Sequence, residues 1–225
     1  MFLDEGSVIF QDRADAGRKL AQKLEAYANR KDVTVLGIPR GGVLVACEVA
    51  KALRAPLDIF VSRKLGVPGQ EELAFGAVAS GGVRILDHEI IEEALISEQQ
   101  VEAATRRARQ ELERRESLYR GARPPVKIEN RTVLLVDDGI ATGASIFAAI
   151  DALRQLKPAR LVVAAPVCPL STSNRLKRAV DEIIFVETPK HFYAIGQFYE
   201  DFSEVTDEEV TESLRSGMQP ALQGV

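Results

Sequence analysis

The chain is predicted to fold as an α/β protein on a doubly wound, mainly parallel sheet, and three observations carry that prediction. Apolar runs too short for helices alternate with stretches of helical periodicity over most of the 225 residues. The strand-like runs, such as Val33-Thr34-Val35-Leu36-Gly37-Ile38 and Thr132-Val133-Leu134-Leu135-Val136, are continuously apolar or β-branched, as strands covered on both faces should be. The turns that follow them are rich in glycine and precede new helical stretches.

Taken in order, residues 12–30 read as a helix with Ala16, Leu20, Leu24 and Ala28 on one stripe. A strand at 33–38 stops at Pro39-Arg40-Gly41-Gly42, and a second helix spans 43–54. Leu57 to Ser62 reads as a strand ended by Arg63-Lys64, and 66–70 as a loop with a Pro-Gly turn. Leu73 to Val78 and Val83 to Leu86 form a hairpin pattern around Ser80-Gly81-Gly82. Residues 98–120 carry Val101, Ala104, Ala108 and Leu112 at helical spacing among arginines and glutamates. They read as a solvated amphipathic helix, with Arg106, Arg114 and Arg115 as the side chains that could instead reach an anion. After a linker at 121–125 come a strand at 132–136, a helix at 144–156, a strand at 161–165, a helix at 173–180 and a strand at 182–187. His191 to Gly196 reads as a further strand and Asp207 to Leu214 as an acidic helix.

Composition excludes several classes. Two cysteines, Cys47 and Cys168, form no CxxC pair, and His88 and His191 are the only histidines. A disulfide scaffold, a zinc finger and an HExxH centre are therefore ruled out, and Cys168 reads as a buried small hydrophobe. A net charge of -4 argues against a dedicated nucleic-acid binder. The longest apolar run, 161–170, is broken by two prolines and is too short to span a bilayer. Met1 to Glu5 lacks the pattern of a secretion signal, so the expected address is the cytoplasm, without membrane association.

The chemistry concentrates in Val133-Leu134-Leu135-Val136-Asp137-Asp138-Gly139-Ile140-Ala141-Thr142-Gly143-Ala144-Ser145. Two carboxylates stand at the carboxyl end of a buried strand, where ligands of open parallel sheets bind. A bend of small residues then opens a helix, so backbone N–H groups can converge on an anion, helped by the helix dipole. Thr142 and Ser145 add hydroxyls. Acceptors for a sugar diol thus stand beside donors for a phosphate, the two faces of a ribose 5-phosphate. Walker A and dinucleotide fingerprints are absent, and a receiver-type phospho-acceptor would not require this bend.

Val133 to Ser145 resembles the PRPP-binding signature of the type I phosphoribosyltransferases. Gly37-Ile38-Pro39-Arg40-Gly41-Gly42 resembles the pyrophosphate loop of that family. Val61-Ser62-Arg63-Lys64 with the following 66–72 loop resembles its basic pair and mobile loop, although Lys64 also reads as an ordinary exposed lysine. The resemblance covers about residues 30–190 of one domain. It implies transfer of ribose 5-phosphate from PRPP to a nitrogen acceptor such as a nucleobase, with release of pyrophosphate. It implies Asp137, Asp138 and Lys64 as catalytic residues. Gly139, Ala141, Thr142, Gly143, Ala144 and Ser145 would bind the 5-phosphate, and Pro39, Arg40, Gly41, Gly42 and Arg63 the pyrophosphate. Mg²⁺ would be held through PRPP and water near the two acids rather than in a protein cage. The 6-oxopurine enzymes carry an acid where Ala141 stands, so the loop is closer to the adenine type. A variable hood is expected from 189–225, with contributions from 1–12 and 98–120, and Ile140, Phe192, Tyr193 and Phe198 are candidates to meet the acceptor. The fold allows a homodimer. A non-catalytic PRPP-sensing regulator on the same fold, and a domain for another sugar phosphate, remain as alternatives.

Overall fold

The computed structural model describes residues 10–217, and of Glu71 only the backbone. Residues 1–9 and 218–225, assigned above to the hood, lie outside the described residues.

The core is a five-stranded parallel sheet formed by β1 (Val33–Gly37), β2 (Leu57–Ile59), β6 (Thr132–Val136), β7 (Arg160–Val167) and β8 (Glu182–Glu187), in the spatial order β2-β1-β6-β7-β8. β1 and β6 are buried along their whole length. Their alternate side chains feed two cores. Val35, Leu134 and Val136 pack with helices α1 (Arg13–Lys23), α2 (Gly41–Leu53) and α7 (Asp207–Gly217). Leu36, Val133 and Leu135 pack with α5 (Ala144–Gln155) on the other face. The sheet is therefore doubly wound, as the apolar strands predict. From β1 the chain steps outward to β2; from β6 it steps the other way to β7 and β8. The carboxyl ends of β1 and β6 thus flank the switch point, where doubly wound sheets bind ligands.

A second, antiparallel sheet contains β3 (Ser62–Val67), β4 (Gln70–Ala79) and β5 (Val83–Leu86). It corrects two expectations. The strand placed at 57–62 is two strands, so Arg63 and Lys64 lie inside β3 rather than at a strand end. The 66–72 segment is a hairpin closed by Pro68 and Gly69, with Gly69 at φ +80°. Helix α3 (His88–Glu93), capped by the Asp87 carboxylate, was not legible because six residues are too few to show a period. Helix α4 (Glu98–Arg120) starts at a Ser97/Gln100 capping box and lays Val101 and Leu112 on the core beside Leu65 and Val67. Its last residue, Arg120, donates Nε to both oxygens of buried Asp58 at 3.1 and 3.2 Å, and Asp58 also accepts from the Val126 amide at 3.1 Å. That pair ties the 121–126 linker to the sheet.

The first helix is shorter than its 12–30 pattern. The Leu24 amide is shared between the carbonyls of Leu20 and Ala21, the chain tightens into a 3₁₀ turn at Glu25–Tyr27, and Asn29 is left-handed at φ +59°. The helix expected at 173–180 is α6 (Leu170–Leu176). The strand expected at 191–196 does not form; the chain runs irregularly into a 3₁₀ turn at Ile195–Phe198. Its apolar side chains are satisfied differently, with Phe192 and Ile195 packed into a small cluster around Phe10, Phe198 and Tyr199 rather than along a sheet.

Helices α1 and α2 approach closely at Gly17, where an added Cβ would lie 2.8 Å from both the Val45 carbonyl oxygen and the Glu48 Cβ. Gly17→Ala should therefore destabilise the protein by about 1–2 kcal/mol net, despite alanine's better helix propensity. Urea unfolding measures this, and an equal or higher midpoint would contradict it.

Candidate active site

The loops after β1 and β6 meet at the switch point because their strands are paired in register, with Gly37 opposite Val136. Contact between them is close enough to demand glycine. A Cβ on Gly42 would stand 2.7 Å from Asp137 Oδ1, and one on Gly41 would stand 1.9 Å from Asp138 Oδ2 and 2.7 Å from Arg13 Nε. The Pro39–Gly42 loop therefore lies directly on the acid pair. The Pro39–Arg40 peptide is cis. Arg40 is exposed and ion-paired with Glu204.

The two acids are treated unequally. Asp138 Oδ2 accepts from Arg13 Nε at 2.7 Å, and both side chains are nearly buried. Arg13 Nη1 continues to the Ser203 carbonyl at 2.8 Å, and its guanidinium lies 4.0 Å from the centre of the Phe202 ring. The Asp138 carbonyl accepts from the Tyr199 hydroxyl at 2.5 Å. Asp137 Oδ1 accepts the Asp138 amide at 2.9 Å. Burial, then the neighbouring Asp138 charge, raises the Asp137 pKa well above the ordinary carboxylate value. Burial likewise raises the Tyr199 hydroxyl, with the Asp138 charge adding to it.

The bend behind the acids is packed at its glycines and exposed at Thr142, Ala144 and Ser145. Gly139 admits Ile195, whose Cγ2 would lie 2.4 Å from any Cβ there, and the Ile140 amide donates to the Val167 carbonyl at 2.9 Å. Gly143, at φ +84°, is the N-cap of α5. Thr142, Ala144 and Ser145 are exposed, and Thr142 Oγ1 sits 3.5 Å from the Ala144 amide. Carbonyls on the outside of the bend are held from α6: Thr172 Oγ1 donates to Ala141 O and Arg175 Nη1 to Thr142 O.

Other expected site residues disperse. In β3, alternation sends Arg63 and Lys64 to opposite faces. Arg63 pairs with Glu111 of α4 at 3.4 Å, and Lys64 with Glu72 in its own hairpin at 3.2 Å. Arg114 and Arg115 also pair with Glu111, which suits the solvated-helix reading. Ile140 and Phe198 are core side chains, 2% and 4% exposed, so neither can present a face to an acceptor. Phe192 stacks on Phe198 at 5.8 Å, whereas Tyr193 is 90% exposed. Cys168 is buried, and that burial pushes its thiol up to about 12. Among the described residues, no three of His, Cys, Asp and Glu are grouped to hold a metal ion.

Arg13 and Tyr199 escaped the sequence reading. Arg13 is 125 residues from its partner, inside a helix whose pattern speaks only of packing, so no local signal marks it.

The model of the phosphoribosyl transferase domain family matches residues 9–203. The chain belongs to that family. A Mycobacterium tuberculosis protein provisionally named a phosphoribosyl transferase, Rv0571c, is 44% identical over 206 residues, which is 92% of this chain but 46% of that protein. The chain thus spans about half the length of the curated relatives it matches. The crystal structure of TT1426 from Thermus thermophilus is 42% identical, with a TM-score of 0.80, over 92% of this chain and 98% of that one. The acid pair and its bend thus stand on a phosphoribosyl transferase domain.

Two predictions follow from the acids. Arg13→Gln leaves a nearly buried carboxylate without its cation and should cost about 2–3 kcal/mol in urea unfolding, part of it recovered by adding Asp138→Asn. Asp137→Asn keeps the Oδ1 acceptor and removes a charge that folding disfavours. A carboxyl with a raised folded-state pKa destabilises the fold once pH exceeds its unfolded value. Without ligand, the Tm advantage of Asp137→Asn should therefore vanish below about pH 4 and grow towards pH 7. A pH-independent difference would contradict it.

Proposed function

We propose that this chain transfers ribose 5-phosphate from PRPP to a nitrogen nucleophile, most simply a nucleobase, and releases pyrophosphate. The observation that carries the reading is the convergence of the acid pair, the bend and the Pro39–Gly42 loop at one switch point. In the reaction the C1–oxygen bond breaks with its electrons going to pyrophosphate, the C1–nitrogen bond forms, and the nitrogen loses a proton. Positive charge builds on the ring in between.

On this reading Asp137 and Asp138 accept from the ribose hydroxyls and favour that charge electrostatically. The amides of the bend, with the hydroxyls of Thr142 and Ser145, take the 5-phosphate at the start of α5. Arg40 and the backbone of Gly41 and Gly42 face the pyrophosphate. The resemblance would add Lys64 and Arg63, but they stand on opposite faces of β3, paired with Glu72 and Glu111. The two acids are the donors that fit Mg²⁺ through water, since this ion keeps several waters and binds substrate phosphates; when bound it would neutralise the leaving group. Ala141 has no acid to offer a 6-oxopurine. On this reading Tyr193, 90% exposed and two residues before the Ile195 that packs on Gly139, is the aromatic that would meet an acceptor, with half-buried Phe192 as a second.

The test is pyrophosphate release with PRPP, Mg²⁺ and a panel of nitrogen acceptors, followed by mass spectrometry of ribosylated products. Turnover is expected, and Asp137→Asn with Asp138→Asn should lower it on the order of a hundredfold or more. Unchanged turnover in that double variant would overturn the assignment. PRPP binding without turnover on any acceptor would make the chain a sensor instead.

A further inference from the structure

Helix α6 lies outside the acid pair and the bend, yet two of its side chains are bonded to the bend. Thr172 and Arg175 stand three positions apart and so share one helix face. Thr172, 4% exposed, donates Oγ1 to the Ala141 carbonyl at 2.7 Å. Arg175 donates Nη1 to the Thr142 carbonyl at 3.2 Å, and its guanidinium is steadied 4.7 Å from the centre of the Phe147 ring.

Consecutive carbonyls are thereby drawn to the same side. Both peptides are trans, and in a planar trans peptide the N–H points opposite to the C=O. The amides of Thr142 and Gly143 are consequently turned away from α6, and left-handed Gly143 supplies the curvature that sets successive amides around one concavity. Among the described residues neither amide meets an acceptor. An extended loop would alternate its carbonyls and present one amide at a time; this bend turns two the same way, and the carbonyls of both peptides are bonded from α6.

We propose that Thr172 and Arg175 are positioning residues for the 5-phosphate: they hold the bend by its carbonyls so that its amides face the phosphate before it arrives. The proposal rests on the reading of the bend as a phosphate cradle. It assigns neither side chain to the reacting atoms. Their loss should weaken everything that carries the 5-phosphate and spare what does not.

Equilibrium titration of the full chain with PRPP, ribose 5-phosphate and pyrophosphate, each with Mg²⁺, separates the possibilities. Thr172→Val keeps shape and removes the donor, Thr172→Ser restores it, and Arg175→Gln removes the guanidinium. Thr172→Val and Arg175→Gln should each raise the Kd of PRPP and of ribose 5-phosphate about fivefold, the size of one lost hydrogen bond. Pyrophosphate binding should be unchanged, and Thr172→Ser should bind like the parent. Unaltered ribose 5-phosphate affinity in both variants would overturn the proposal. So would an equal loss for pyrophosphate, which marks general damage, or failure of Thr172→Ser to restore affinity. A parent protein that binds neither PRPP nor ribose 5-phosphate would instead bring down the underlying phosphate reading.

Discussion

The site depends on β1 and β6 being paired neighbours. With Gly37 beside Val136, two strands from distant parts of the sequence end at the same level. Pairing extends one step past the strand, where the Ile38 amide donates to the Val136 carbonyl at 2.9 Å, and the Asp137 amide reaches across to Ala164 of β7 at 3.3 Å. Both loops are therefore fixed at their roots by the sheet, with α2 on one face and α5 on the other. The glycines at 41 and 42 follow from this: two loops leaving adjacent strands at one level have no room for a side chain between them.

Within that frame the electrostatics are uneven. Two neighbouring carboxylates share one guanidinium, and the guanidinium sits on Asp138. Among the described residues Asp137 has only a backbone donor, and it is half-buried beside a negative charge. Such an arrangement stabilises the fold less than a neutral one would, which is common where chemistry requires charge in a confined place. A surplus of negative charge there suits a partner that brings positive charge, as the ring does in the proposed transfer.

Much of this was legible in the sequence. The strands at 132–136 and 182–187 and the long helix at 98–120 have the bounds their patterns predict, because an unbroken apolar run and a long helical period are strong local signals. The acid pair, the bend and the glycine turn were legible as well, since packing alone gives no reason for two adjacent acids ahead of a run of small residues. What stayed hidden depends on tertiary contact. Arg13 looks like any arginine at a helix start until α1 is packed on α2. Phe198 and Ile140 are apolar in a polar neighbourhood, and only the fold reveals that they face inward. Arg63 and Lys64 read as a pair because adjacency in sequence hides the alternation of a strand.

Residues 10–13 and 198–203 are stitched together at the edge of the site. The Phe10 amide donates to the Phe198 carbonyl, the Glu200 amide returns to Phe10, Asp201 bonds to Gln11, and Arg13 reaches Ser203. The cation on Asp138 is thus held as much by the carboxyl-terminal stretch as by its own helix. Two distant stretches of chain are thereby tied into one unit, and the place of the Asp138 cation depends on both.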